Sequence, residues 1–121
     1  MSKRVIIADD DADTRMSYSD LVLDLAPDTT IVQVERGSDL VRRVLEGCDF
    51  AITDNDMLDG RDAGIAAIKE IRAAGCTAPI YFLSGRDATL PEAIAFGATG
   101  AFLKTKMDYD TFSSILRTHL D

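Results

Sequence analysis

The run Phe50-Ala51-Ile52-Thr53 is apolar, rich in β-branched and aromatic residues, and stops abruptly at Asp54. A helix needs a longer stretch to bury one face, so a run this short and continuous reads as a buried strand. Four more runs of the same kind lie along the chain: Val5–Ala8, Ile31–Val34, Ile80–Leu83 and Ala101–Leu103. Between and after them apolar residues recur at helical spacing: Met16 to Leu25; Leu40, Val41, Val44 and Leu45; Ile65, Ile68 and Ile71; Leu90, Ala93 and Ile94; Phe112, Ile115 and Leu116. Asp13, Ser38, Asp87 and Asp108 stand where helices should start, and Gly47, Gly75 and Gly97 where helices should stop. The result is a (βα)5 alternation of the α/β class. It specifies a doubly wound parallel sheet with right-handed crossovers and helices on both faces. Pattern alone leaves the strand order open.

A chain of 121 residues, 46% of them apolar, is the size of one domain and can bury a core without a metal or disulfide staple. We therefore expect a single domain over residues 1–121 with no output domain attached. The net charge of −8, with Arg42-Arg43 as the nearest basic cluster, argues against a nucleic-acid partner. Cys48 and Cys76 have neither metal-ligand spacing nor a secreted disulfide framework and read as reduced, structural thiols. No run has the length of a membrane span or a signal-peptide core, so the expected compartment is the cytoplasm. Of 21 acidic residues 17 are Asp and four are Glu. Asp suits helix caps, turns and cation sites, so the surplus should lie at element ends.

In open parallel sheets ligands bind beyond the carboxyl ends of the strands. There the first strand runs into Asp9-Asp10-Asp11, the third into Asp54, the fourth into Ser84-Gly85 and the fifth into Lys104. Clustered carboxylates repel one another unless a cation neutralises them, and oxygen-only ligands point to a hard ion, Mg²⁺ before Ca²⁺ or Mn²⁺. A lysine would clamp one phosphoryl oxygen, and a serine hydroxyl with adjacent backbone N–H groups another. Together these groups describe phosphoryl transfer to a carboxylate, with Asp54 as the nucleophile. Around this set, Asp56, Asp59 and Asp62 read as turn residues, with Asp56 lying over the site. Arg86 reads either as a partner of Asp56 or the phosphate, or as an exposed charge. His119, in the last helical turn, complements the helix dipole and carries no catalysis.

The strand ending in Asp9-Asp10, Asp54 followed three residues later by Met57, Ser84-Gly85, the Gly97-Ala98 pair and Lys104 resemble the receiver domain of bacterial response regulators. The resemblance covers essentially the whole chain. It implies a flavodoxin-like strand order 2-1-3-4-5 and phosphorylation of Asp54 by a histidine kinase or histidine phosphotransfer protein. It also implies Mg²⁺ held by Asp10, Asp54 and the backbone carbonyl of Asp56, with Asp9 supporting through water, while Ser84 and Lys104 read the phosphoryl group. Such a protein signals by binding a separate downstream protein, as a monomer or weak dimer, and acts as a catalyst only in its own phosphorylation and dephosphorylation. Several positions depart from the family pattern. Leu58 stands where a proline usually follows the methionine, and the segment 59–64 is about two residues longer than usual, which predicts a mobile loop. Ala101 replaces a commonly aromatic residue, with Phe102 facing the opposite side of the strand. Thr105 replaces a proline, and the loop after Ser84 is shortened. These departures motivate a second reading, a degenerate receiver used as a phosphorylation-independent interaction module. A third is a haloacid-dehalogenase-type phosphatase built on Asp54-Asn55-Asp56-Met57-Leu58, where Leu58 lacks that family's hydroxyl.

Overall fold

The structure, a computed structural model, describes residues 3–120. Five strands, β1 (Arg4–Ala8), β2 (Thr30–Val34), β3 (Phe50–Asp54), β4 (Ile80–Ser84) and β5 (Gly100–Leu103), pair in parallel in the order β2-β1-β3-β4-β5. Five helices, α1 (Ala12–Leu25), α2 (Gly37–Leu45), α3 (Ala63–Ala73), α4 (Thr89–Ala95) and α5 (Tyr109–Leu120), connect and follow them. Alternation along the strands sorts side chains into two layers. Ile6, Ala8, Ala51, Ile80 and Phe82 pack against α2, α3 and α4, while Val5, Ile7, Phe50, Ile52, Tyr81 and Leu83 pack against α1 and α5. Ala101 joins the first layer and Phe102 the second, as expected for neighbours on one strand.

Burial separates the centre of the sheet from its edges. Every residue of β3 and β4 is buried, and β1 is exposed only partly and at its first residue. The edge strands β2 and β5 are covered incompletely, so their apolar runs mark strands without marking full burial. Asp54 and Ser84 are the last residues of their strands, one beyond the apolar runs, because the ladder continues through them: Asp54 faces Leu83 and Ser84 faces Leu103. Backbone pairing is indifferent to side-chain polarity, which is why hydropathy stops one residue early.

Helix starts differ from the sequence reading more than helix ends do. Asp11, not Asp13, caps α1, accepting from the Asp13 N–H at 3.2 Å and the Thr14 hydroxyl at 2.8 Å. The apolar pattern missed the first turn of α1 because that turn is solvated. Ser38 lies inside α2, whose first N–H groups are capped from elsewhere: the Asp59 carboxylate accepts from Gly37 at 2.8 Å and Ser38 at 3.1 Å. Asp87 precedes α4 and contributes only its carbonyl, to the Leu90 N–H. Asp108 does serve α5, accepting from the Thr111 N–H at 2.8 Å. After α2, α3 and α4 the chain reverses at Gly47, Gly75 and Gly97, with left-handed φ values of 111°, 84° and 113° that favour glycine.

The β3–α3 loop, expected to be mobile, is tied on both sides. Leu58 N donates to the Glu35 carbonyl at 2.9 Å, Met57 and Gly60 exchange backbone hydrogen bonds, and the Met57 side chain is buried in the core. A proline at position 58 has no N–H and would forfeit the bond to Glu35, a local reason for leucine there.

At the start of α3, Gly64 N donates to the Asn55 carbonyl at 2.7 Å, and a Cβ on Gly64 would lie 2.2 Å from the Asp54 carbonyl oxygen. Alanine gains about 1 kcal/mol over glycine in a helix interior, but this overlap is against backbone. Gly64→Ala is expected to destabilise the fold by about 3 kcal/mol or more, read from denaturant midpoints. An equal or higher midpoint would contradict the close packing of α3 behind Asp54.

Candidate functional site

The parallel register brings the ends of β1, β3, β4 and β5 to one edge of the sheet. Asp9 follows β1 and is held there by three backbone contacts. Its own N–H donates to the Val34 carbonyl at 3.1 Å, its Oδ1 accepts from the Asp11 N–H at 2.9 Å, and its carbonyl accepts from Arg15 Nη1 at 2.7 Å. Asp54 closes β3, with Oδ1 accepting from the Asn55 N–H at 2.8 Å. Lys104, the first residue after β5, reaches between them: its Nζ lies 3.0 Å from Asp54 Oδ2 and 3.1 Å from Asp9 Oδ2. Asp9 and Asp54 are buried, Lys104 is half-buried, and Asp10 is exposed at the mouth. Oxygens from Asp9, Asp10 and Asp54 all lie within 4.8 Å of one another.

Burial governs the electrostatics of this group. Desolvation pushes the Asp9 and Asp54 carboxyls up from the usual carboxylate range, and their acidic neighbours push the same way, Asp54 on Asp9 and Asp10 on Asp54. Lys104 and the N–H groups of Asp11 and Asn55 pull back without cancelling the rise. For Lys104 desolvation acts downward, but hydrogen bonding and attraction to Asp54, with Asp9 behind, raise it above the ordinary lysine value. The site thus holds a lysine kept charged among carboxyls that resist ionisation, an excess of negative potential only partly neutralised.

Ser84 ends β4 beside Asp54, and its hydroxyl is engaged within its own turn. It accepts from the Arg86 N–H at 3.1 Å and lies 2.8 Å from Thr89 Oγ1. Of the two readings of Arg86, the structure has the ion pair: Nη2 lies 3.1 Å from Asp56 Oδ1 and 2.7 Å from Asp62 Oδ1. The Asp56 carboxylate is thereby occupied outside the acidic cluster.

Asn55, Thr89 and Arg15 escaped the sequence reading. Asn55 is buried and serves three elements, with its N–H on Asp54, its Nδ2 on Asp62 and its Oδ1 accepting from the Ile65 N–H at 3.2 Å. Its position directly after Asp54 was the available signal. Thr89 and Arg15 carried none, because their partners depend on the folded turn.

His119 packs against Phe50 and Tyr81, with ring centroids 5.4 Å from each, and shares a hydrogen bond with the Tyr81 hydroxyl. Phe50 begins the strand that Asp54 ends, so His119 belongs to the far end of the sheet. Cys48 and Cys76 are free and half-buried against the α2–α4 layer, and burial pushes the Cys48 thiol up to about 11. Such a thiol is not a nucleophile at neutral pH. Among the described residues no helix is long and apolar enough to cross a membrane.

Comparison with solved structures finds the same fold repeatedly. The receiver domain of the putative response regulator NarL from Mycobacterium tuberculosis superposes with a TM-score of 0.80 at 22% identity, covering 98% of this chain and 96% of that one. The chemotaxis response regulator CheY4 of Vibrio cholerae gives 0.81 at 22% identity over 99% and 100%. The receiver domain of a putative Luxo repressor protein from Vibrio parahaemolyticus gives 0.83 at 20% identity over 99% and 91%. Comparison with curated proteins finds no match. Residues 5–115 match the model of the response regulator receiver domain, nearly the full length of the sheet and helices described above, and the chain belongs to that family.

Proposed function

We propose that the chain accepts a phosphoryl group on Asp54 from a histidine kinase or histidine phosphotransfer protein in a Mg²⁺-dependent reaction and signals by binding a downstream protein. The observation that carries this reading is the convergence of Asp9, Asp10, Asp54 and Lys104 at one sheet edge, with the acceptor carboxylate buried and bonded to lysine. Family membership supports it.

The donor set suits a hard divalent ion: three carboxylates, no nitrogen or sulfur, with one oxygen from each lying within 4.8 Å of the others. Asp10, Asp54 and the backbone carbonyl of Asp56 would hold it, Asp9 through water. Bound there, the ion screens the charge between the incoming phosphoryl group and the carboxylates.

The remaining steps fall to the chain. An Asp54 oxygen attacks phosphorus in line, and the bond from phosphorus to the donor's imidazole nitrogen breaks, with the electron pair passing to that nitrogen. Asn55 N–H fixes the orientation of the attacking carboxylate. Lys104 follows the transferred group, exchanging its bond to Asp54 for one to a phosphoryl oxygen, and stays near Asp9. Ser84 supplies a hydroxyl to a second oxygen. The chain's own catalysis ends with hydrolysis of that acyl phosphate.

Incubation with Mg²⁺ and acetyl phosphate is expected to add one acid-stable, hydroxylamine-labile phosphoryl group by intact-mass spectrometry, and none to Asp54→Asn. Absence of incorporation into the wild type would instead favour a phosphorylation-independent interaction module.

Stability provides a separate readout. Asp9 and Asp54 have folded-state pKa values above their unfolded ones, so their ionisation opposes folding. That penalty is present at neutral pH and fades as pH falls through the raised values towards the unfolded ones. Asp54→Asn is therefore expected to raise the denaturant midpoint without Mg²⁺ at pH 7, with a gain that shrinks on acidification. A midpoint equal to or below wild type at pH 7 would contradict the electrostatic account. Mg²⁺ at a hundredfold excess over its dissociation constant should stabilise the wild type by about 2.7 kcal/mol. A flat response would contradict metal binding.

A further inference from the structure

Asp62 lies at the end of the β3–α3 loop, at the left-handed N-cap of α3 with φ 64° and ψ 16°. It is the one non-glycine residue with positive φ among the described residues. Aspartate tolerates that conformation better than most residues, but it persists only where surrounding bonds hold it. Here they do. Asp62 Oδ1 accepts from Asn55 Nδ2 at 2.7 Å and from Arg86 Nη2 at 2.7 Å, and Asp62 N donates to Asp56 Oδ1 at 3.2 Å. One carboxylate therefore joins the residue after Asp54 to the residue two after Ser84.

The Ser84 turn is closed by a second set of bonds. Arg86 N donates to Ser84 Oγ at 3.1 Å, and Thr89 Oγ1 lies 2.7 Å from the Arg86 carbonyl oxygen and 2.8 Å from Ser84 Oγ. A carbonyl only accepts, so the single Thr89 proton goes to Arg86. The proton between the two hydroxyls is then Ser84's own, donated to Thr89. Ser84 can offer that proton to a phosphoryl oxygen on Asp54 only by giving up its bond to Thr89, one of the bonds that close this turn. Opening it moves the Arg86 backbone, and the Arg86 side chain is anchored to Asp62.

We propose that Asp62 is a positioning residue, which by anchoring Arg86 holds the 85–88 turn closed on Ser84 and thereby slows phosphoryl transfer to Asp54. The inference rests on Asp54 being the phosphoacceptor. Asp56 shares the guanidinium at a longer distance, whereas Asp62 alone ties it back to Asn55 and so to the acceptor.

The test uses Asp62→Asn, which keeps the tolerance for left-handed backbone and an oxygen for Asn55 but removes the charge that holds Arg86. It is paired with Arg86→Ala, Arg86→Lys and the double variant Asp62→Asn/Arg86→Ala. Two quantities are read: amide hydrogen exchange at Arg86 in the unphosphorylated protein without Mg²⁺, and the initial rate of phosphoryl incorporation from acetyl phosphate. Asp62→Asn should speed exchange at Arg86 by about tenfold, the loss expected for a charge-assisted hydrogen bond, and speed incorporation several-fold. Arg86→Ala should do the same, the double variant should do no more than either single one, and Arg86→Lys should restore slower exchange. Unchanged exchange, unchanged or slower incorporation, or additive effects in the double variant would overturn the inference while leaving the acceptor role of Asp54 intact. Absence of incorporation in every protein, wild type included, would be failure of the acceptor reading itself and would remove the inference with it.

Discussion

Lys104 Nζ sits about equally far from Asp54 and Asp9, at 3.0 and 3.1 Å, and this shared ammonium is the contact on which the site depends. Two buried carboxylates at neighbouring strand ends would otherwise repel in a medium where neither is well hydrated. The lysine can reach both only because β1, β3, β4 and β5 end at one edge, and they do so only because the sheet is parallel throughout. Packing of α3 against the back of Asp54 through Gly64 and the capping of α2 by Asp59 follow from the same constraint. The lysine offsets only part of the repulsion. The residual negative potential favours a cation at this cluster.

The cluster was legible in the sequence because its residues sit where hydropathy changes sharply. Short apolar runs ending in Asp9-Asp10, Asp54, Ser84 and Lys104 marked both the strands and the edge at which they converge. Strand order came from resemblance, since nothing in a run of valines and isoleucines says which neighbour it will pair with. Helix starts were legible only where the cap lies next to an apolar stripe, as at Asp108. Asp59 capping a helix more than twenty residues earlier in the chain is a tertiary contact, and the hydrogen bond between the Ser84 and Thr89 hydroxyls depends on the shape of the turn between them; neither leaves a local pattern. The contacts of the β3–α3 loop leave no local pattern for a related reason. A long polar segment looks loose in sequence, yet Leu58, Asp59 and Asp62 each find partners on other elements.

The surplus of aspartate over glutamate resolves into local roles. Asp11 and Asp108 cap their own helices, and Asp59 caps another. Asp49 accepts from the Arg4 N–H at the far end of the sheet, while Asp56 and Asp62 hold Arg86. Asp9, Asp10 and Asp54 form the cluster. A short carboxylate close to its own backbone suits every one of these tasks, and glutamate suits few of them. Nine of the 17 aspartates thus have turn or site roles, so the net charge of −8 is in part a sum of local geometry.

Ala101 packs with the α2–α4 layer and Phe102 with the opposite one, so no aromatic ring at 101 is available to turn between them. The proposed function rests on Asp54 as the residue that takes the phosphoryl group. The most direct measurement is to treat the protein with Mg²⁺ and acetyl phosphate, reduce it with borohydride and map the peptides, because reduction of an aspartyl phosphate leaves homoserine in its place. The account predicts homoserine at position 54 and at no other aspartate; homoserine at Asp9, Asp10 or Asp56, or none at all, would contradict it.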